Sequence, residues 1–196
     1  MDYTNKSENE ILAWLKANLN EERYIHSLST AECAKELAIK YNIDVNKAYL
    51  AGLLHDAAKC ISNDKQLELV DSEYNLEEEE RLNKKTVHAP ASAVIAKREF
   101  GVIDNEILSA IRWHTLGKLD MSALEKIIFL ADKIEPKTRT EDYSQDIRDI
   151  ITKENNIDKA ILECYKNTII SLVKRNLKIC LLTVKIYNQL ESKISS

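Results

Sequence analysis

Helix breakers are nearly missing from this chain, which holds 3 glycines and 2 prolines among 196 residues. Gly and Pro are what turns draw on, because they supply backbone angles that other residues resist or must hold at a cost. A chain so poor in them, built largely of Leu, Ile, Ala, Lys and Glu, is held to an all-α fold. Its length suits one domain spanning residues 1–196, with enough apolar content (44%) to bury a sizeable core. The net charge of −4 comes without a basic block, so nucleic acid is not an expected partner. The opening MDYTNKSENE is too polar for a signal peptide, and no apolar run approaches the ~18 residues of a membrane span. Cys33, Cys60, Cys164 and Cys180 are scattered with no Cys-x-x-Cys pair, which reads as reduced thiols in a cytoplasmic protein.

Capping signals divide the chain into helices. Ser7-Glu-Asn-Glu10 is a capping box that opens a helix through Ile11, Leu12, Leu15 and Leu19. A second helix is expected from about Glu21 to Tyr41, with His26, Thr30, Cys33 and Leu37 on one stripe. A third, capped by Asp44, carries Ala48, Ala51, Gly52 and His55; its small residues let another helix come close. Residues 62–86 are polar and acidic and predict one or two short surface helices, with Glu77 to Glu80 as a solvated face. Pro90 suits a first helical position, which puts His88 just ahead of a helix ending at Gly101. Asp104 caps a helix whose inner stripe reads Ile107, Ala110, Ile111, His114. Ser122-Ala-Leu-Glu125 is a second capping box, starting a helix that ends before Pro136. A loop is expected over residues 137–146, then a helical tail from Ile157 to about Ile194, broken near Asn176.

The chain has only four histidines: His26, His55, His88 and His114. One histidine on a helix is more often a satisfied core or surface residue than a ligand. Two acids change that weighting. Asp56 follows His55 inside the small-residue run AGLLHDAAK, and Asp132 lies on the inner stripe of KIIFLADKIEP. An unpaired carboxylate buried there would cost several kcal/mol. A salt bridge to lysine or arginine is one remedy. A metal ion is another, since it accepts imidazole nitrogen and carboxylate oxygen together, and four histidines with two inward acids suit it better. Adjacent helical residues point about 100° apart. His55 and Asp56 therefore share an ion only if it sits close against the helix, or if Asp56 bridges two ions.

The ordered set His26, His55-Asp56, His88, His114, Asp132 resembles that of the HD-domain phosphohydrolases, helical bundles with a metal site at the centre. The words RYIHSLSTAECAKELA, AGLLHDAAK and AIRWHTLGKLDMSALEKIIFLADKIEP, followed by Arg139, resemble the bacterial YqeK group over about residues 20 to 190. Members of that group are symmetrical diadenosine tetraphosphate hydrolases that use iron and yield two ADP. The resemblance implies that His26, His55, Asp56 and Asp132 hold the principal metal. It implies that His88 and His114 either complete a second metal site, with Asp56 bridging, or contact substrate phosphates. Asp56, His88 and His114 are then the catalytic set. Lys133 stands where the group usually has an aromatic residue.

The chemistry expected is attack on a polyphosphate anhydride by hydroxide from a metal-activated water, with fixed cations holding the phosphates. Lys59, one turn after His55, and Arg139 are candidate phosphate clamps, and Arg23 is a weaker one. Thr115 is a phosphate donor or a helix-end residue. The expected cofactor is one or two divalent transition metal ions, iron by the resemblance, with manganese or cobalt as substitutes. The expected partner is a small nucleotide, with no membrane; a homodimer is left open. Two rivals stand beside this reading: an HD-type hydrolase of another nucleotide, and a non-catalytic nucleotide-binding regulatory module. Loss of a ligand would favour the second, and all six positions are filled.

Overall fold

The computed structural model describes residues 2–195, without the side chains of Glu79 and Leu82. Four N-terminal caps expected from the sequence form in it. Ser7 and Ser122 accept the backbone N–H of Glu10 and Glu125 in closed capping boxes. Asp44 accepts from Asn46 and Lys47, and Asp104 from Glu106 and Ile107. Each such cap satisfies donors that the helix cannot pair internally, and contributes about 0.5–2 kcal/mol. The elements are α1 (Glu8–Asn18), α2 (Glu21–Tyr41), α3 (Val45–Leu54), α4 (Asn63–Asp71), α5 (Glu78–Leu82) and α6 (His88–Phe100). They continue with α7 (Asn105–Trp113), α8 (Ala123–Ile134), α9 (Asp142–Asp149), α10 (Ile157–Lys174) and α11 (Leu181–Ile194). Among the described residues there is no strand, and no helix long and apolar enough to cross a membrane.

Four of these helices close a ring. α2 packs along α3 and α8, and α7 also touches both α3 and α8, while α6 lies against α7 and α3. The buried stripes that drive this are apolar at helical spacing: Ile107, Ala110 and Ile111 on α7, and Leu124, Ile127, Ile128 and Ala131 on α8. Gly52 sets the tightest approach. A Cβ there would stand 2.9 Å from Ala31 Cα and 3.1 Å from the Thr30 carbonyl, so only glycine lets α3 lie this close to α2. α10 packs on α8 and α11 outside the ring.

Five expectations are corrected. α3 stops at Leu54, so His55 and Asp56 sit in a run of tight turns and not within the helix, with i to i+3 bonds from Ala57, Lys59 and Ile61. That turn is buried, and side chains help to satisfy its backbone: Ser92 Oγ accepts from Ala58 N–H, and the Gln66 amide donates to the carbonyls of Ala58 and Ile61. α6 begins at His88 itself, two residues earlier than Pro90 suggests; proline at the third position still lacks only an N–H that the helix would leave unpaired. The glutamate run is not wholly solvated, because Glu80 is buried against Arg112 at 2.5 Å. The 137–146 segment is not all loop, since α9 starts within it and leads into one wider turn, Ile150–Glu154. Lastly, Asp132 is only partly inward, with 14% of its side chain exposed. The break near Asn176 forms as expected, with φ at 52°.

Candidate metal centre

The ring brings all six expected residues to one place. His26 comes from the second turn of α2, His55 and Asp56 from the turn after α3, and His88 from the first position of α6. His114 comes from the end of α7 and Asp132 from the last turn of α8. His26, His55, Asp56, His88 and His114 are each at most 3% exposed. Their ligand atoms form two groups, His26–His55–Asp56 and Asp56–His88–His114, each with all its atoms within 4.8 Å of one another. Asp56 belongs to both. Asp132 Oδ1 borders the first group, 3.0 Å from His26 Nε2 and 3.8 Å from His55 Nε2.

The tautomers follow from local hydrogen bonds. His55 and His114 cap two different helices in the same way: each donates Nδ1–H to the carbonyl three residues back, Gly52 at 2.6 Å and Ile111 at 2.8 Å. A carbonyl can only accept, so the proton is on Nδ1 and the Nε2 lone pair faces the centre. His26 Nδ1 lies 3.1 Å from Glu135 Oε1 and 3.0 Å from Thr138 Oγ1. Across the centre, His26 Nε2 stands 3.2 Å from His55 Nε2, and His88 Nε2 stands 3.2 Å from His114 Nε2. Asp56 Oδ1 is buried without a hydrogen bond, although His88 Nε2 approaches to 3.1 Å.

Ring nitrogens and carboxylate oxygens converging in this way suit a cation between them. Nitrogen and carboxylate oxygen without thiolate suit a divalent metal of the iron, manganese, cobalt or zinc kind. The residues therefore fit a bound metal on the donor set and on the orphaned Asp56 oxygen alike. Burial, offset in part by Asp56, pushes His55 down to about 3, which leaves its ring neutral and able to ligate. Burial likewise lowers His88 against the pull of Asp56. Burial would raise Asp56, but the imidazoles of His55, His114 and His88 and the Lys59 ammonium hold it well below the usual carboxylate range. For His26, burial pulls down and is outweighed by its bonds to Asp132 and Glu135, so the net shift is upward.

The candidate phosphate contacts all stand around this centre. Arg23 Nη1 is 3.4 Å from Asp56 Oδ2, and Lys59 Nζ is 2.9 Å from His88 Nε2 and 3.6 Å from Asp56 Oδ1. Thr115 Oγ1 is 3.0 Å from His114 Nε2 and 3.3 Å from His88 Nε2. Arg139 donates to Asp132 twice, to its carbonyl at 2.7 Å and to Oδ1 at 3.0 Å. Sequence reasoning gave no role at the site to three neighbours. Lys133 reaches Asp132 Oδ2 at 3.4 Å and the His114 carbonyl at 3.3 Å, adding a fourth cation. Glu135 and Thr138 hold the far side of His26. The signal for Glu135 lay in the sequence, three residues after Asp132 and so on the same helical face. A groove of about 560 Å³ opens beside Lys133, between Tyr143 and the α10 residues Asn167, Thr168 and Ser171.

The chain is similar to known proteins over most of its length. The HD domain family matches residues 23–137. The symmetrical bis(5'-nucleosyl)-tetraphosphatase of Staphylococcus aureus is 38% identical over 174 residues, covering 88% of this chain and 89% of that protein. Its namesake from Bacillus subtilis is 36% identical over 183 residues, covering 93% and 97%. Among solved structures, an HD superfamily hydrolase of Clostridium acetobutylicum, described as involved in NAD metabolism, superposes with a TM-score of 0.90. It is 36% identical, over 96% of this chain and 98% of that one.

Proposed function

The chain belongs to the HD domain family, and from that premise we propose that it is a metal-dependent hydrolase that splits diadenosine tetraphosphate into two ADP. The observation that carries this reading is the pair of histidine–aspartate groups sharing Asp56, ringed by Arg23, Lys59, Lys133 and Arg139. His26, His55, Asp56 and Asp132 hold the principal ion, and His88 and His114 serve the phosphate side, with or without a second ion. We assign iron as the resident metal, with manganese or cobalt able to replace it, and the cytoplasm as its location, in keeping with cysteines that are scattered without a Cys-x-x-Cys pair.

A divalent cation bound here supplies Lewis acidity and a water acidic enough to lose its proton near neutral pH. The protein's own side chains do the remaining work. A four-phosphate bridge is a polyanion, and four cations around one centre offset its charge and fix its position. Lys59, beside His88, and Thr115, beside both His88 and His114, face the phosphates on that side. Arg139 and Lys133, both on Asp132, face them on the other. The groove beside Lys133 seats the departing nucleoside half. Seating a nucleoside diphosphate on each side would leave the central anhydride between the two sets of cations, so the bond broken would be the middle one.

Incubating metal-loaded protein with diadenosine tetraphosphate and resolving the products by anion exchange tests this. Two ADP per substrate is the expected result. Equal ATP and AMP would overturn the bond assignment, and tight binding without hydrolysis in iron or manganese would favour the regulatory module.

A further inference from the structure

We propose that Glu135 is the positioning residue of the His26 side of the centre. Its carboxylate selects the His26 tautomer that can bind metal, and holds in place the turn that presents Arg139. The metal reading given above is its premise; the identity of the substrate is not.

Glu135 follows directly on α8 and is 0% exposed. Both of its oxygens are filled from the turn it begins. Oε2 accepts the Lys137 N–H at 2.8 Å, and Oε1 accepts the Thr138 N–H at 2.9 Å together with the Thr138 hydroxyl. That hydroxyl spends its proton on the carboxylate, so what it offers His26 Nδ1 at 3.0 Å is a lone pair. Nδ1 thus faces two acceptors and no donor, and must carry the proton itself. This leaves Nε2 bare toward His55 and Asp132, as a ligand needs.

The selection is not trivial, because a second carboxylate competes for the same ring. Asp132 Oδ1 lies 3.0 Å from Nε2 and would accept a proton there equally well. In that tautomer His26 becomes a donor, its lone pair is turned to the wrong side, and Asp132 is spent on it. Without a metal, the two acids contend for one proton. Glu135 prevails through being rigidly held by the Lys137 and Thr138 N–H groups, whereas Asp132 is shared with Arg139 at 3.0 Å and Lys133 at 3.4 Å. The same carboxylate fastens residues 137–138, and the Arg139 N–H bonds back to the Glu135 carbonyl at 3.3 Å. One group therefore sets both the ligand and the guanidinium next to it. Outer partners of metal-bound histidines act this way in general.

Two measurements decide it, neither needing a nucleotide. In metal-free wild type at a pH where the ring is neutral, ¹⁵N NMR of His26 should show the proton on Nδ1. A proton on Nε2 would overturn the proposal whatever any variant does. In E135Q, the His26 proton should move toward Nε2, and affinity for manganese, read by chelator competition, should fall by roughly 10- to 100-fold. T138V, which keeps the carboxylate, should hold the Nδ1 proton and lose less affinity. Wild-type affinity in a folded E135Q with an unmoved tautomer would reduce Glu135 to a turn cap and overturn the proposal. If E135Q does not fold, the wild-type tautomer and T138V still decide. Should these results stand while diadenosine tetraphosphate is left intact, the substrate reading alone fails.

Discussion

The two halves of the centre share Asp56 yet are built differently. On one side, both histidines have their outward nitrogens clamped by acceptors: His55 by the Gly52 carbonyl and His26 by Glu135. On the other, His114 is clamped by the Ile111 carbonyl, but among the described residues His88 has no such acceptor. Its Nδ1 faces the Lys59 ammonium at 3.4 Å, and its Nε2 meets the same ammonium at 2.9 Å. Clamped imidazoles are prepaid in orientation and suit an ion that stays. An imidazole leaning on a lysine suits groups that come and go, because a phosphate entering there gains the ammonium as a partner. On the function proposed above, the difference separates a resident side, made by α2, α3 and α8, from a working side made by α6 and α7.

The largest effect should come from the residue common to both halves. Asp56→Asn keeps shape and removes the charge, and should abolish metal content and hydrolysis, a loss beyond the roughly 100-fold that an outer partner costs. Helical circular dichroism should stay unchanged; full metal occupancy in this variant would dissolve the shared-ligand picture. Next, His88→Ala should separate the halves. Turnover should drop by about 10²- to 10³-fold, the scale of losing one preorganised electrostatic contact, while the first ion stays bound. Elemental analysis showing no metal in His88→Ala would mean that the halves form one unit. The smallest effect is expected at the seam of the resident side. In Gly52→Ala the added methyl meets the α2 backbone at 2.9 Å, and overpacking of this kind costs about 1–3 kcal/mol. At about 2–4 °C per kcal/mol for a chain of this size, calorimetry should find Tm lower by several degrees. Metal affinity should weaken with it, because the turn that follows α3 carries His55 and Asp56. An unchanged Tm would show that the two helices can part without strain.

What could be read in the sequence, and what could not, divides along the same lines. Caps and stripes act within a turn or two of themselves, so Ser7, Asp44, Asp104 and Ser122 could be recognised without knowing what the helices pack on. The six residues that meet at the centre could be singled out as an ordered set of histidines and aspartates that resembles a known one, although a lone histidine among them would not have stood out. α9 was missed because the run EDYSQDIRD is too polar for a clear apolar stripe, only Ser144 and Ile147 being buried. Glu80 was taken as solvated since its neighbours are; its partner Arg112 stands 32 residues away.

Glu135 and the helix ends at His55 and His88 show where local reading stops. Composition and capping determined that the chain is helical and roughly where most helices start, while the ordered histidines and aspartates, with the resemblance they carry, pointed to the side chains that could serve a metal. Only the tertiary structure decided that α3 ends one residue before His55, because the buried turn that follows takes its missing hydrogen bonds from Ser92 and Gln66 on α6 and α4. Only it set the tautomers, since a ring's proton goes to whichever acceptor the fold brings near, and for His26 that acceptor is 109 residues along the chain.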